Sequence, residues 1–313
     1  MRYDATIGVT TVSFSQNVHL IEVLRSKGFD NILLNETGNR MSKDELIMIL
    51  KSCDAAIIGL DVINDDILKH IPSLKAIAKY GVGLDNIDFD SCEKYGVRIL
   101  HTQGVNKRSV AEMALGNMLS LCRNIYVSSN LNKAGRWVKN GGVELTGKTV
   151  CIIEAGNIGR DLIALLKPFR CKILVNDIVD ISAYCAEHGL NEASKEQIFM
   201  EADIISVHTP LTKLTRDMIS EDVFAVMKPS AFVINTARGG IVNEPALKEA
   251  LLENKIAGAA LDAYVCEPPE EKELINLPNL ICTPHIGGNS KEAVLQMGYS
   301  AIDNIVKYIS DGE

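Results

Sequence analysis

The sequence predicts an α/β protein of two doubly wound parallel-sheet domains, and three observations carry that expectation. Short apolar runs alternate with helix-like segments over the first hundred residues, and a second such alternation begins at Gly147. Between them lie one long amphipathic segment and a polar, glycine-rich stretch. Alternation of this kind builds parallel sheets with helices on both faces. The 313 residues suffice for two domains of ordinary size, each able to bury a core.

In the first series, strand-like Thr6 to Thr10 is followed by a helical Val18 to Lys27 and by the apolar Asn31 to Asn35. Lys43 to Lys51, Ala55 to Gly59 and the helical Asp65 to His70 come next, and Leu74 to Lys79 and Val97 to His101 complete a flavodoxin-like order. Asn106 to Ile125 forms a long helix with Val110, Met113, Ala114, Asn117, Met118 and Leu121 on one face, the spacing of a packed surface. In the second series, strands are predicted at Val150 to Ile153, Lys172 to Val175, Ile204 to His208, Phe232 to Asn235, Gly258 to Leu261 and Leu280 to Thr283. Lys291 to Ser310 has helical periodicity in Val294, Met297, Ala301, Ile302, Ile305 and Ile309.

Composition excludes several classes. With 47% hydrophobic and 23% charged residues the chain is of soluble globular type. A net charge of −8 with no basic run argues against nucleic acid as a partner. No signal-peptide pattern opens the chain and no apolar stretch reaches membrane-spanning length, so neither export nor a membrane is expected. The eight cysteines form neither a C-x-x-C pair nor a Cys/His cluster. They suit reduced thiols in the cytoplasm, and no metal site is expected.

After Val150 to Ile153 the chain reads Glu154-Ala155-Gly156-Asn157-Ile158-Gly159. This is G-x-G-x-x-G with its first glycine replaced. In that motif a tight turn brings backbone N–H groups to a pyrophosphate at a helix N-terminus. Gly156 and Gly159 preserve the close approach and the helix–strand packing, whereas Glu154 puts the turn in doubt and sets a carboxylate against the phosphates. Asp177 follows the next strand, where an acid accepts ribose hydroxyls and repels a 2′-phosphate, which favours NAD over NADP. Six strands with this motif make a Rossmann-type domain.

Residues 227–262 read M-K-P-S-A-F-V-I-N-T-A-R-G-G-I-V-N-E-P-A-L-K-E-A-L-L-E-N-K-I-A-G-A-A-L-D, with Glu267-Pro268 and Thr283-Pro284-His285 beyond. This stretch resembles the signature of the D-isomer-specific 2-hydroxyacid dehydrogenases, and the likeness extends from about Thr10 to Tyr299. It is nearest in look to short phosphoglycerate-dehydrogenase-like members. The resemblance implies a Rossmann cofactor domain (102–286) inserted into a flavodoxin-like substrate domain (1–101 and 287–313).

It also implies NAD as cofactor, held by Gly156, Asn157, Ile158, Gly159, Asp177, His208, Thr209, Pro210, Thr236, Ala237, Asp262, Gly287 and Gly288, with Asp262 partnering the carboxamide. The chemistry falls to Arg238, Glu267 and His285. An arginine clasps a carboxylate through two N–H groups, and a histidine exchanges the hydroxyl proton. A neighbouring glutamate favours the imidazolium and fixes the ring. The segment Lys79-Tyr80-Gly81-Val82-Gly83 resembles the substrate loop, so Lys79, Gly81, Val82 and Gly83 join Arg238 and His285 as substrate contacts.

Arg136-Trp137 resembles an arm that packs on a second copy, which implies a homodimer. Arg170 and Gln103 depart from the glycine and proline usual in relatives, and the arginine that phosphoglycerate users often carry is missing from Gly59-Leu60-Asp61. The expected activity is NAD-dependent interconversion of a small D-2-hydroxy acid and its 2-oxo acid, with phosphoglycerate, hydroxypyruvate or glyoxylate chemistry among the options. A dinucleotide-sensing binding protein and a pseudoenzyme damaged at Glu154 are the alternatives.

Overall fold

The computed structural model describes residues 2–311. The chain divides into two compact units, the first running to Asn106 and resuming at Asn289, the second spanning Lys107–Gly288. Residues 102–106, grouped by sequence with the second domain, fall in the first unit, and Gly287 and Gly288, grouped with the first, fall in the second.

The first unit contains β1 (Ile7–Val9), α1 (Val12–Ser15), α2 (Val18–Ser26), β2 (Ile32–Leu34), α3 (Lys43–Leu50), β3 (Ala55–Ile58), α4 (Asp65–Leu68), β4 (Ala76–Lys79), α5 (Phe89–Lys94) and β5 (Arg98–Leu100). Its sheet is parallel, in the order β2-β1-β3-β4-β5. β1, β3 and β4 are buried along their whole length, which is why β1 and β3 read as unbroken apolar runs and β4 as one that ends in the buried Lys79. The core on one face joins Ile7, Val9, Phe14, Leu20 and Ile57 to Met297, Ala301, Ile302 and Ile305. The last four lie on the final helix, so that helix returns to this unit.

The second unit opens with α6 (Lys107–Cys122) and α7 (Ile125–Lys133). It continues through β6 (Thr149–Ile153), α8 (Asn157–Leu166), β7 (Lys172–Asn176), α9 (Ser182–His188), β8 (Asn191–Glu192) and α10 (Lys195–Glu201). β9 (Ile204–Val207), α11 (Glu221–Val226), β10 (Phe232–Asn235), α12 (Glu244–Leu252), β11 (Gly258–Leu261), α13 (Lys272–Ile275) and β12 (Leu280–Cys282) complete it, and α14 (Lys291–Ser310) belongs to the first unit. The sheet order is β12-β11-β10-β9-β6-β7-β8, with the topological switch between β6 and β9. Ligands of open α/β sheets bind beyond the strand ends at such a switch.

Two details depart from expectation. The long helix stops at Cys122 because Asn124 adopts a left-handed conformation (φ 50°), and α7 follows as a polar helix with no fully buried residue. β8 adds a seventh strand of two exposed residues at the sheet edge, too short and polar for an apolar pattern to reveal. No described helix is long and apolar enough to cross a membrane.

Arg170, flagged by sequence as occupying a glycine position, does lie in the left-handed region (φ 52°, ψ 36°). A non-glycine residue there costs about 1 kcal/mol. Arg170→Gly is expected to raise the unfolding free energy by about that much, partly offset by glycine's greater chain entropy. Denaturant titration of both proteins measures it, and an unchanged or lowered midpoint contradicts the strain.

Candidate active site and cofactor cradle

Three strand ends build the chemical site. Beyond β10, buried Asn235 shapes the turn: its Oδ1 accepts the Ala237 N–H (3.0 Å) and its Nδ2 donates to the Arg238 carbonyl (2.8 Å). Arg238 Nη1 donates to the Ala237 carbonyl at 2.8 Å, which steers the guanidinium along its own turn. Gly239 follows because there is no room for a side chain: a Cβ would lie 1.9 Å from the Tyr264 carbonyl carbon. The arginine turn therefore rests directly on the segment after β11.

That segment carries Glu267, whose Oε1 accepts the Tyr264 N–H at 3.1 Å. The Tyr264 hydroxyl donates toward both the Leu261 and Thr283 carbonyls at 3.1 Å, tying the ends of β11 and β12 together. His285 lies beyond β12 in a left-handed conformation (φ 52°). Its Nδ1 faces both oxygens of Glu267 at 2.9 Å. An ionised carboxylate only accepts, so Nδ1 carries a proton and donates. Nε2 is then left for exchange with another molecule. Glu267 and His285 are each about one-third exposed (38%), so the pair is open on one side.

Asp262, expected to partner a carboxamide, has a different set of contacts. It is buried, with Oδ1 accepting from Thr283 Oγ1 (2.7 Å) and the Ile286 N–H (2.9 Å), and Oδ2 accepting from the Gly287 N–H (2.7 Å). Its carboxylate fixes the turn that presents His285. Gly287 in turn accepts from Ser109 Oγ at 2.6 Å, and Gly288 closes the unit.

The cofactor cradle lies on the same sheet edge. β6 ends at Ile153, Gly156 is the N-cap of α8, and no side chain caps that helix, so its first N–H groups are available to an anion. Gly159 is required by contact, since a Cβ would lie 2.2 Å from the Glu154 carbonyl oxygen. Asn157 and Ile158 form the first turn of α8. Asp177, one residue past β7, accepts the Ala155 N–H (2.9 Å) and the Val179 N–H (3.2 Å), binding the two loops together.

Past β9 and β10, His208 Nδ1, Thr209 Oγ1 and Thr236 Oγ1 are buried polar atoms without a partner. Buried polar groups are normally paired. Three orphans at adjacent strand ends, beside Pro210 and Ala237, fit a cofactor that supplies the missing hydrogen bonds. His208 Nε2 lies 3.0 Å from Ser206 Oγ, and burial pushes its pKa down to about 4, so the ring there is neutral.

Glu154 takes the left-handed conformation that the absent glycine would supply (φ 75°). The tight turn is thus retained with a non-glycine residue. Its carboxyl is half-buried, and burial together with Asp177 raises its pKa to about 7.

In the first unit, the substrate-loop segment follows β4, with Gly81 at φ 128° and Val82 and Gly83 half-buried. Lys79 does not project from it. It is 4% exposed, and its Nζ donates to the Gly59 carbonyl (2.5 Å) and Asn86 Oδ1 (2.6 Å), clamping the loops after β3 and β4. Residues 59–61 hold no arginine, but Arg40, in the loop before α3, donates from Nη2 to the Leu60 carbonyl at 2.6 Å. Arg40 belongs to no motif, and only the folded loops bring it there.

A nucleotide cradle at the switch point beside an arginine, a histidine and its carboxylate partner defines a dinucleotide-dependent oxidoreductase. Residues 115–287 match the family model of the D-isomer specific 2-hydroxyacid dehydrogenase NAD-binding domain. The chain is 35% identical over 280 residues to a hydroxypyruvate reductase of Thermotoga maritima, covering 88% of this chain and 90% of that protein. It is 35% identical over 261 residues to the D-3-phosphoglycerate dehydrogenase of Rattus norvegicus, covering 82% of this chain and 49% of the relative, so it spans about half that enzyme's length. The crystal structure of D-lactate dehydrogenase with NAD+ from Lactobacillus jensenii superposes with a TM-score of 0.82 at 29% identity, covering 98% of this chain and 97% of that one.

The chain belongs to the D-isomer specific 2-hydroxyacid dehydrogenase family. It is an oxidoreductase with NAD as its cofactor, and the binding-protein and pseudoenzyme alternatives are not favoured.

The raised Glu154 pKa has a stability consequence. Below its ordinary pKa of 4.5 the carboxyl is protonated folded or unfolded and costs nothing. Between 4.5 and about 7 only the folded state keeps the proton, and above 7 the full cost of a half-buried charge is present. An unscreened shift of this size amounts to about 3 kcal/mol, which solvent exposure reduces to about 1 kcal/mol. Glu154→Gln is therefore expected to gain stability over the parent as pH rises from 5 to 7.5, with a plateau above. A difference independent of pH, measured by denaturant titration, contradicts the assignment.

Proposed function

We propose that this enzyme interconverts a small D-2-hydroxy acid and its 2-oxo acid through Arg238, Glu267 and His285. The observation that carries the reading is the two-oxygen contact of Glu267 with His285 Nδ1. It fixes the ring so that Nε2 faces away from the protein partner and can exchange one proton with the substrate oxygen. In reduction the imidazolium donates that proton to the 2-oxo oxygen, and in oxidation the neutral ring removes it from the 2-hydroxyl. Glu267 stabilises the cationic form that each direction passes through. Arg238 pairs with the substrate carboxylate and polarises the carbonyl. NAD, when bound, supplies or accepts the hydride. The cofactor is assigned to Gly156, Asn157, Ile158, Gly159, Asp177, His208, Thr209, Pro210, Thr236, Ala237, Gly287 and Gly288, with Asp262 holding the last turn in place.

We assign substrate carboxylate contacts to the backbone of Gly81, Val82 and Gly83, and treat Lys79 as the clamp that shapes their loop. Arg40 beside Leu60 supports a substrate with a second anionic group at its far end. Two further features complete the proposal. Trp137 is 79% exposed and the next residue, Val138, is exposed as well, which suits an arm covered by a second copy in a homodimer. All eight cysteines are free, which supports a cytoplasmic setting for the enzyme.

The test is turnover of 2-oxo acids with NADH, comparing hydroxypyruvate, glyoxylate and phosphohydroxypyruvate. Oxidation of NADH by at least one is expected, and no turnover of any would overturn the reading. His285→Asn should lower kcat by about 10²–10⁴, the usual contribution of a general acid–base, with NADH affinity unchanged. Parental turnover in that variant would remove His285 from the chemistry.

A further inference from the structure

The volume over Gly156 is already claimed by the protein itself. The three heavy atoms nearest a Cβ built on Gly156 all belong to the Glu154 side chain, with Oε1 at 2.8 Å. The second glycine of this motif is the position that lets phosphates approach the backbone. The left-handed backbone of Glu154 folds its carboxyl back over that position, at the uncapped N-terminus of α8. A carboxylate there makes no hydrogen bond that caps the helix, and it carries the phosphate's sign beside the place where a phosphate would approach the backbone.

We propose that Glu154 is a proton-linked gate of the cofactor cradle: its carboxyl must take up a proton before the NAD pyrophosphate can settle on α8. The proposal rests on α8 being the pyrophosphate site. In the protonated form the group is neutral and donates a hydrogen bond to a phosphate oxygen; in the ionised form it repels the pyrophosphate at close range.

The surroundings favour titration near neutrality. Asp177, from the end of β7, adds a like charge, and both of its oxygens are engaged by the Ala155 and Val179 N–H groups. Arg160, from α8, turns away: its Nε donates to the Ala155 carbonyl at 2.7 Å and its guanidinium lies 4.3 Å over the Tyr184 ring. His208, beyond the neighbouring β9, is neutral throughout this range because burial pushes its pKa down to about 4. With Glu154 raised to about 7, the gate closes as pH climbs from 6 to 8.5. A pyrophosphate diester does not itself titrate there, so the dependence belongs to the protein.

The experiment is equilibrium binding of NADH, ADP-ribose and adenosine between pH 6 and 8.5, by calorimetry in buffers of differing ionisation enthalpy. For the parent, NADH and ADP-ribose affinity should fall at least about tenfold across the range, with net proton uptake at the alkaline end. Adenosine, which has no phosphate, should show no such fall. Glu154→Gln should bind both phosphorylated ligands with little pH dependence and without proton uptake. Glu154→Gly, which suits the backbone conformation, should do the same and guards against a folding defect in the glutamine variant.

A parent that binds NADH equally across the range overturns the gate, as does a slope that survives in both variants. Failure of all three proteins to bind NADH and ADP-ribose at any pH, with adenosine still bound, would instead remove α8 as the pyrophosphate site and the gate with it.

Discussion

The buried carboxylate of Asp262 is the constraint on which the chemical site depends. It accepts three donors from a five-residue stretch, Thr283 Oγ1 and the N–H groups of Ile286 and Gly287. A charge this buried is tolerable only when its lone pairs are filled, so the chain after β12 is drawn around it. His285 is left at the crest of that turn with a positive φ, a conformation an isolated histidine would seldom adopt. Glu267 then meets the ring from the neighbouring strand end, while Tyr264 ties the two strand ends together. Local strain at His285 is the consequence of holding Nε2 free in a fixed direction.

The cofactor side of the sheet works through incompletion. His208, Thr209 and Thr236 bury polar atoms that the protein does not pair, which is costly without a ligand and favourable with one. Glu154 acts in the opposite sense, setting its carboxyl beside the glycine that the ligand's phosphates would approach. The two effects set cofactor affinity against each other, one through unsatisfied hydrogen bonds and one through charge. Because only the second depends on protonation, pH separates them.

Much of this was legible in the sequence because parallel strands buried on both faces are unbroken apolar runs. β10 and β11 begin and end where the pattern placed them, as does α14. Arg238, Glu267 and His285 were legible because each follows such a run. What escaped has a physical reason in each case. α7 buries no residue fully and so shows no apolar stripe, and β8 is two polar residues at an edge. Asp262 and Lys79 have side chains whose partners lie far along the chain, at Gly287 and Gly59, so no local spacing announces their structural work. Arg40 reaches Leu60 only after the sheet has formed.

The central claim is that Glu267 holds His285 with its proton on Nδ1 and Nε2 open. Nitrogen-15 NMR of the His285 ring, assigned by its loss in His285→Asn, tests it on the folded enzyme without substrate. At a pH where the ring is neutral, the account predicts the Nδ1–H tautomer in the parent and its loss in Glu267→Ala. An Nε2–H tautomer in the parent, or a tautomer indifferent to Glu267, would contradict it.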